Sequence, residues 1–486
     1  MSSDSSYKQI VKSTGIYGTS QLVNIALGII RSKITALLIG TAGVGLIGLY
    51  QSVIDLSRSA TGLGLDTGAT KQIATANEDV TETIYTVNAW YLLTAALGAL
   101  LCVILSSQLS IWTFGTADYS LRISILAIAV LFITLTAGII SCFQGLRKIS
   151  YMAWTASLGS FLSLVVAIPF YYFFRLDGII WAFIGASLST FLVSLFFYRK
   201  LKIKFQLIPL SKLWQNGQEM IRLGVYIVIA GVISTGSLYI VRSYISRVDG
   251  VDHVGLFQAA WLTTFLISGI ILRSTNSDFF PKLCSLIDQK LQVRRFVNQQ
   301  THILLLIISP LTIGIFTFGE YVIYILYSSD FMVATPTFRW HIIGIFLKML
   351  STPIATVLLA KNKGRLHLLC ETLFWTAYLA ACLLLYSSLG LQATGVAYVV
   401  AYITYLPTVL LVSNRISGTK WDTPIVLVLF IDLILLCLLL VVSIFYGQYT
   451  LLVGFIAFAA TLFYSLSKLR SLIDLDIHRW IRRKKK

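Results

Sequence analysis

Fourteen apolar stretches, each roughly long enough to cross a bilayer and separated by glycine, proline or basic clusters, dominate the 486-residue chain. They cover 13–40, 45–74, 83–106, 120–145, 150–173, 177–198, 222–246, 254–281, 300–327, 338–360, 364–388, 391–412, 424–446 and 449–467. At 1.5 Å rise per residue, about 20 apolar residues span the ~30 Å hydrocarbon core. Runs such as ALGALLCVIL and LFIDLILLCLLLVVSIF are apolar on every face, as helices in lipid must be. No alternating barrel pattern occurs, and irregular backbone cannot cross hydrocarbon. The expected fold class is therefore an all-α polytopic membrane protein. Composition agrees: 57% of residues are hydrophobic and 12% charged, with mean hydropathy +0.82. A soluble domain carries about 25% charged residues, so a water-soluble enzyme is excluded, as are disordered and collagen-like chains.

The basic residues set the orientation. With the N-terminus inside, 28 of the 38 Lys and Arg fall in cytoplasmic segments, and the outer loops hold only Arg175 and Arg247. The positive-inside rule places both termini in the cytoplasm. The opening MSSDSSYKQIVK is polar and lacks a small-residue cleavage site, so the first apolar stretch is expected to stay in the membrane. The net charge of +18 is accounted for by this asymmetry, and no nucleic acid partner is expected.

The longest polar connection, RKLKIKFQLIPLSKLWQNGQEMIR at 199–222, divides the chain. It reads as a basic linker, either a plain positive-inside loop or an interfacial segment anchored by Leu213 and Trp214. The expected organisation is an N-terminal lobe at 1–198 (spans one to six), the linker at 199–221 and a C-terminal lobe at 222–412 (spans seven to twelve). Two additional spans at 413–467 and a basic cytoplasmic tail at 468–486 follow. A faint repeat supports two pseudo-symmetric six-helix lobes: Arg31-Ser32 matches Arg242-Ser243, and Gly48-Leu49-Tyr50-Gln51 matches Gly255-Leu256-Phe257-Gln258. Asp66 and Lys71 are echoed by Asp278 and Lys282.

Six cations lie inside spans: Arg31, Lys33, Arg58, Arg242, Arg273 and Lys348. Each would cost about 2.5–3.5 kcal/mol facing lipid at the bilayer centre, so a wet cavity, a partner or one another must receive them. Their spread over several depths in both halves suits an anionic group passing between leaflets. Plainer readings stand beside this one. Asp55 and Arg58 are three residues apart and could pair on one helix face. Arg31 and Lys33 are about 200° apart around a helix, and Arg242 is near enough to the outer interface to snorkel, as Arg122 and Arg339 are expected to do. Among acidic residues, Glu371 and Asp432 are the candidates for ion coupling, while Asp66 and Asp278 near cytoplasmic ends read as solvated. Asn24, Gln51, Gln258 and Asn276 are candidate sugar contacts on unusually polar spans, although helix–helix hydrogen bonding would give the same composition.

No metal or cofactor is expected. The cysteines Cys102, Cys142, Cys284, Cys370, Cys382 and Cys437 form no C-x-x-C, and the five histidines are scattered. The tail KLRSLIDLDIHRWIRRKKK reads as a helix held to anionic lipid of the inner leaflet.

Arg31 through Ala74, with GTAGVGLIGLYQSVIDL and GLGLDTGATKQIA, resembles the start of bacterial polysaccharide flippases of the Wzx (O-antigen translocase) type, members of the multidrug/oligosaccharidyl-lipid/polysaccharide exporter superfamily. The sharp similarity is confined to the first two spans. The resemblance implies two six-helix lobes around a cationic cavity, plus two extra helices. It implies alternating-access movement of undecaprenyl-diphosphate-linked oligosaccharide from the cytoplasmic to the periplasmic leaflet of the bacterial inner membrane. In that reading Arg31, Arg58, Arg242, Arg273 and Lys348 attract the diphosphate. The implied partners are the anionic lipid-linked substrate, membrane lipids, and polysaccharide polymerase and chain-length proteins. Runner-up readings are a lipid II flippase, which carries the same lipid diphosphate, and a multidrug antiporter, which the positive charge of the spans disfavours. A membrane glycosyltransferase or polymerase would need a sizeable loop with paired carboxylates or a metal site, and the outer loops at 107–119 and 247–253 are short.

Overall fold

The computed structural model describes the backbone of residues 3–76, 80–203 and 209–484; side chains are described outside 1–17, 67, 210–212, 215–216, 219, 221–224, 227, 270–278, 281 and 472–486. The chain is helical throughout the described residues. In order, the helices are α1 (Ser3–Thr61), α2 (Leu65–Thr75), α3 (Val80–Ile104), α4 (Ser106–Phe114), α5 (Ser120–Gly145), α6 (Ile149–Phe174), α7 (Gly178–Arg199) and α8 (Leu210–Val248). The remainder are α9 (Val251–Leu286), α10 (Lys290–Thr317), α11 (Gly319–Leu326), α12 (Thr335–Ala360), α13 (Gly364–Leu389), α14 (Gln392–Ser417), α15 (Thr423–Phe445) and α16 (Thr450–Lys484).

Twelve helices among the described residues are long and apolar enough to cross a membrane, against fourteen expected spans. The difference has two sources. The first candidate, Gly18–Thr61, is 44 residues long and holds the first two expected spans. Its backbone leaves helical geometry at Gly40, where φ is 63° and ψ −163°, a conformation glycine adopts without a Cβ penalty. The chain turns back there. Ser20 donates to the Ala153 carbonyl near the start of α6, and Arg175 beyond its end donates to the Leu38 carbonyl. After the turn, the Tyr50 ring lies 6.1 Å from that of Phe114 at the end of α4, tilted by 57°, and Thr61 lies against Gly98 in the later part of α3. The second source is the expected span 254–281, which lies on α9, where side chains 270–278 are outside the described residues.

Two expected spans, the second and the ninth, are broken where continuity was anticipated, and the third ends as expected, with a short helix in the outer loop that follows it. The second, 45–74, stops at Thr61 and restarts at Leu65, with Leu63 and Gly64 at φ 49° and 70°. The third, 83–106, gives way at Leu105 to the short α4, which ends on Gly115 at φ 81° with its N–H bonded to the Ile111 carbonyl. The ninth, 300–327, breaks at Phe318 before α11. Part of the expected linker, 210–221, forms the opening turns of α8. There Trp90 Nε1 donates to the Leu213 carbonyl, Trp90 and Trp214 rings lie 5.7 Å apart, and Gly217 leaves room for the Trp90 ring.

The chain divides into two compact units, Met1–Gln258 with Leu326–Asp330, and Ala259–Ile325 with Phe331–Lys486. The first unit's core joins Tyr50, Val53 and Ile54 of α1 to Leu126 and Val130 of α5, Ile179 of α7 and Tyr239 of α8. In the second unit α12 is the central helix: Phe338, Ile342, Phe346 and Leu350 are all fully buried, and Gly344 lets Tyr398 of α14 approach its backbone. The last pair, α15 and α16, packs on α10, where Gly454 lies against Thr317 and Gly314 against Phe458. Cys102, Cys142, Cys370 and Cys382 are buried free thiols, and Cys437 is exposed on α15.

Candidate functional site

In the first unit, Arg58 lies one turn before α1 ends, and the break at 62–64 opens a cavity of about 260 Å³ beside it. Asp55 and Ser59 of α1, Asp66 of α2, Tyr91 and Thr94 of α3, Thr134 of α5 and Thr235 of α8 complete the polar lining. The carboxylates are already engaged. Asp55 Oδ1 accepts from Gln51 Nε2 at 2.9 Å, and Asp66 Oδ1 accepts from Tyr91 Oη at 2.6 Å, with Ser141 Oγ a further 2.9 Å from that hydroxyl. Asp66 is exposed, as expected near a span end, and its Oδ1 is in addition held by Tyr91.

Arg58 closes no ion pair within 4 Å among the described residues, so the pairing with Asp55 considered from their spacing is not made. Its Nε is buried and has no hydrogen-bond partner among the described residues. An unsatisfied buried donor costs about 1–3 kcal/mol, a deficit that an acceptor entering the cavity would remove. Arg242 does not snorkel: it is 6% exposed and donates from Nη1 to Ser52 Oγ at 2.6 Å. Its guanidinium sits 5.9 Å from the Phe257 ring, and Asp55 lies within electrostatic reach of both Arg242 and Arg58. Gln51, Arg58 and Arg242 are thus related through Asp55, and of the three only Arg58 lines the cavity.

The other expected residues of this unit lie apart from that cavity's lining. Arg31 is exposed on the first leg of α1 and donates to the Ser160 carbonyl at 3.3 Å. Lys33 and Asn24 are half-buried on the same leg, and Asn24 Oδ1 has no partner among the described residues. Gln258 is buried against Gly48, whose missing side chain makes the approach feasible. Arg122 reaches Asp177 at 2.6 Å.

In the second unit, Lys348 of α12 and Glu371 of α13 line a cavity of about 340 Å³. Lys348 Nζ stands 4.3 Å from the centre of the Phe265 ring, and Glu371 Oε1 accepts from Tyr405 Oη at 3.0 Å. Lys348 closes no ion pair within 4 Å among the described residues. Most of the remaining wall is aromatic, including Trp261, Phe374, Trp375, Tyr398 and Tyr402. These aromatics were not singled out from the sequence, although a signal was there: Tyr398, Tyr402 and Tyr405 recur at i, i+4 and i+7, one face of a helix. Asp432 is 3% exposed and hydrogen-bonded to Ser309, linking α15 to α10. Arg339 is buried and paired with Glu320 at 3.6 Å, a correction to its expected snorkelling. The side chains of Arg273, Asn276 and Asp278, and those of the tail from 472 onward, lie outside the described residues. Among the described residues no three His, Cys, Asp or Glu side chains group as a metal site.

The chain is an all-helical multi-pass membrane protein with polar and aromatic cavities among its helices. The architecture is similar to that of the lipid II flippase MurJ in its inward closed conformation, with a TM-score of 0.70 at 15% identity, over 94% of this chain and 99% of that one. It is also similar to an inward-facing multidrug resistance MATE family transporter of the MOP superfamily, with a TM-score of 0.66 at 15% identity over 82% and 95% of the two chains. In sequence, the lipid III flippase of Escherichia coli (strain K12) is 25% identical over 394 residues, 79% of this chain and 94% of that protein. The same values hold for the lipid III flippase of Shigella flexneri. The chain belongs to the polysaccharide biosynthesis protein family, whose model matches residues 10–286, more than half its length. The relatives and solved structures it resembles are flippases and transporters.

Proposed function

We propose that this protein is a flippase that moves undecaprenyl-diphosphate-linked oligosaccharide, an O-antigen or related repeat unit, from the cytoplasmic to the periplasmic leaflet by alternating access. It sits in the bacterial inner membrane with both termini in the cytoplasm, as the positive-inside count requires. The observation that carries the reading is Arg58: a guanidinium beside a hydroxyl-lined cavity, with its neighbouring carboxylates held by Gln51 and Tyr91 and its own buried Nε unsatisfied. Guanidinium binds phosphate oxygens through charge-assisted, directional hydrogen bonds. Arg242 stands behind it, anchored on Ser52, and adds positive field. Arg31 and Lys33, on the first leg of α1, are further candidates for drawing in the headgroup, and the side chain of Arg273 lies outside the described residues. The prenyl tail stays in lipid throughout, which leaves the protein only the headgroup to shelter.

Arg58, with Arg242 behind it, favours this reading over a multidrug antiporter, while Asp55 and Asp66 share the cavity, so the transported ligand decides between the two. For ion coupling, Glu371 lines a cavity whereas Asp432 is sealed against Ser309, so Glu371 is the better placed of the two. Polymerase and chain-length proteins are the partners that would receive the flipped product. The test is a leaflet-resolved assay in proteoliposomes with a fluorescent undecaprenyl-diphosphate oligosaccharide. Protein-dependent movement of this lipid, without movement of a cationic dye, supports the proposal. Dye efflux without lipid movement makes the protein an antiporter, and glycosyl transfer to an acceptor lipid makes it an enzyme.

A further inference from the structure

The cavity of the second unit differs from that of the first in its aromatic wall. Its volume of about 340 Å³ falls in the ~300–1,000 Å³ range of small-molecule sites. Its one ammonium, Lys348, stands over the Phe265 ring beside the carboxylate of Glu371, whose Oε1 is held by Tyr405. The aromatic wall comes from three helices: Trp261 on α9, Trp375 on α13, and Tyr398, Tyr402 and Tyr405 on α14. The rings brace one another, with centroids 5.4 Å apart for Trp261–Tyr398, 5.0 Å for Tyr398–Tyr402 and 4.6 Å for Phe374–Tyr402. Such a wall is in place before any ligand arrives, which reduces the ordering cost of binding.

A pyranose ring matches this lining. Its two faces carry C–H groups that sit favourably over aromatic rings, and its rim carries hydroxyls that must both donate and accept. Lys348 offers donors only, and Glu371 acceptors only, so a hydroxyl can bridge them by accepting from one and donating to the other. His367 also lines the cavity, and its Nδ1 is buried without a hydrogen-bond partner among the described residues.

We infer that this cavity is a carbohydrate subsite that takes one uncharged hexose or N-acetylhexosamine ring, stacked on the aromatic wall and hydrogen-bonded by Lys348, Glu371 and His367. This assigns Lys348 to the glycan rather than to the diphosphate. The inference rests on the flippase reading only in making that ring part of a lipid-linked oligosaccharide; affinity for a free sugar is independent of transport. The test uses the full chain in lipid nanodiscs, titrated with free N-acetylglucosamine, glucose, galactose and inorganic pyrophosphate. Binding is read by tryptophan fluorescence and by saturation-transfer NMR. At least one of the three sugars is expected to give a saturable response, and pyrophosphate is not expected to compete with it. Trp375→Leu is expected to weaken that sugar at least about tenfold, and Trp375→Phe less than about threefold. If Trp375→Leu does not insert, Lys348→Gln replaces it with the same expected loss. No saturable response to any sugar, a response unchanged in these variants, or displacement of sugar by pyrophosphate overturns the inference. Sugar binding that persists while lipid transport is absent would instead remove the flippase reading and leave the subsite standing.

Discussion

The two units use the same material, membrane-spanning helices, to enclose cavities of opposite character. The cavity of the first unit is lined by hydroxyls and carboxylates around Arg58, and Tyr91 is its only ring among the described residues. That of the second holds one cation and one carboxylate inside an aromatic wall. A polar group in lipid survives only with partners, so the first cavity depends on its hydrogen-bond network. The second depends on ring packing. Under the proposed function, a headgroup that is part diphosphate and part sugar would present one chemistry to each cavity.

The contrast breaks most visibly under charge reversal. Arg58→Glu is expected to lower lipid flipping by about 100-fold or more in proteoliposomes while the protein still inserts, the scale of losing one member of a buried charge contact. Lys348→Glu is expected to leave movement of sugar-free undecaprenyl diphosphate within about threefold, because it acts on the glycan. Equal losses in the two variants on that lipid would erase the distinction between the cavities.

Smaller effects come from the helix contacts behind each cavity. A Cβ on Gly45 would lie 2.0 Å from the Val251 carbonyl oxygen, and one on Gly344 would lie 2.3 Å from the Tyr398 ring. Gly45→Leu and Gly344→Leu are each expected to cost about 1–3 kcal/mol or more, seen as earlier thermal unfolding in detergent. Only the Gly344 variant is expected to weaken sugar binding as well. Gly28→Ala, with open space at its Cβ, is the control that should not destabilise. Ser309→Ala removes the link to Asp432 and is expected to cost about 0.6–1.7 kcal/mol in the same assay. Arg294→Ala breaks an ion pair with Asp422 whose two side chains are about half exposed, and a change under about 1 kcal/mol is expected.

The helices were legible because hydrophobic length is a one-dimensional property, and so was the inventory of cations, since any Lys or Arg inside an apolar run stands out. The breaks were less so. Gly62 and Gly64 punctuate the second span visibly, and Gly319-Glu320 after Phe318 mark the break in the ninth, although a single polar pair inside a long apolar run is easily read through. The partners of the cations were not legible at all. Ser52 and Arg242 are 190 residues apart, and Asp66 meets Tyr91 across two helices, so only the fold brings them together. Arg339, placed near a span end by counting, is buried because α11 folds back to present Glu320. The tyrosine face of α14 had a readable period, yet in a membrane helix such a stripe reads first as packing. Only the cavity beside it gives it another use.

The most direct measurement is equilibrium binding of undecaprenyl diphosphate to the full chain in nanodiscs, comparing the unmodified protein with Arg58→Gln. The account predicts saturable binding that weakens at least about tenfold in the variant and falls with rising salt. Equal affinity in the two proteins would contradict it.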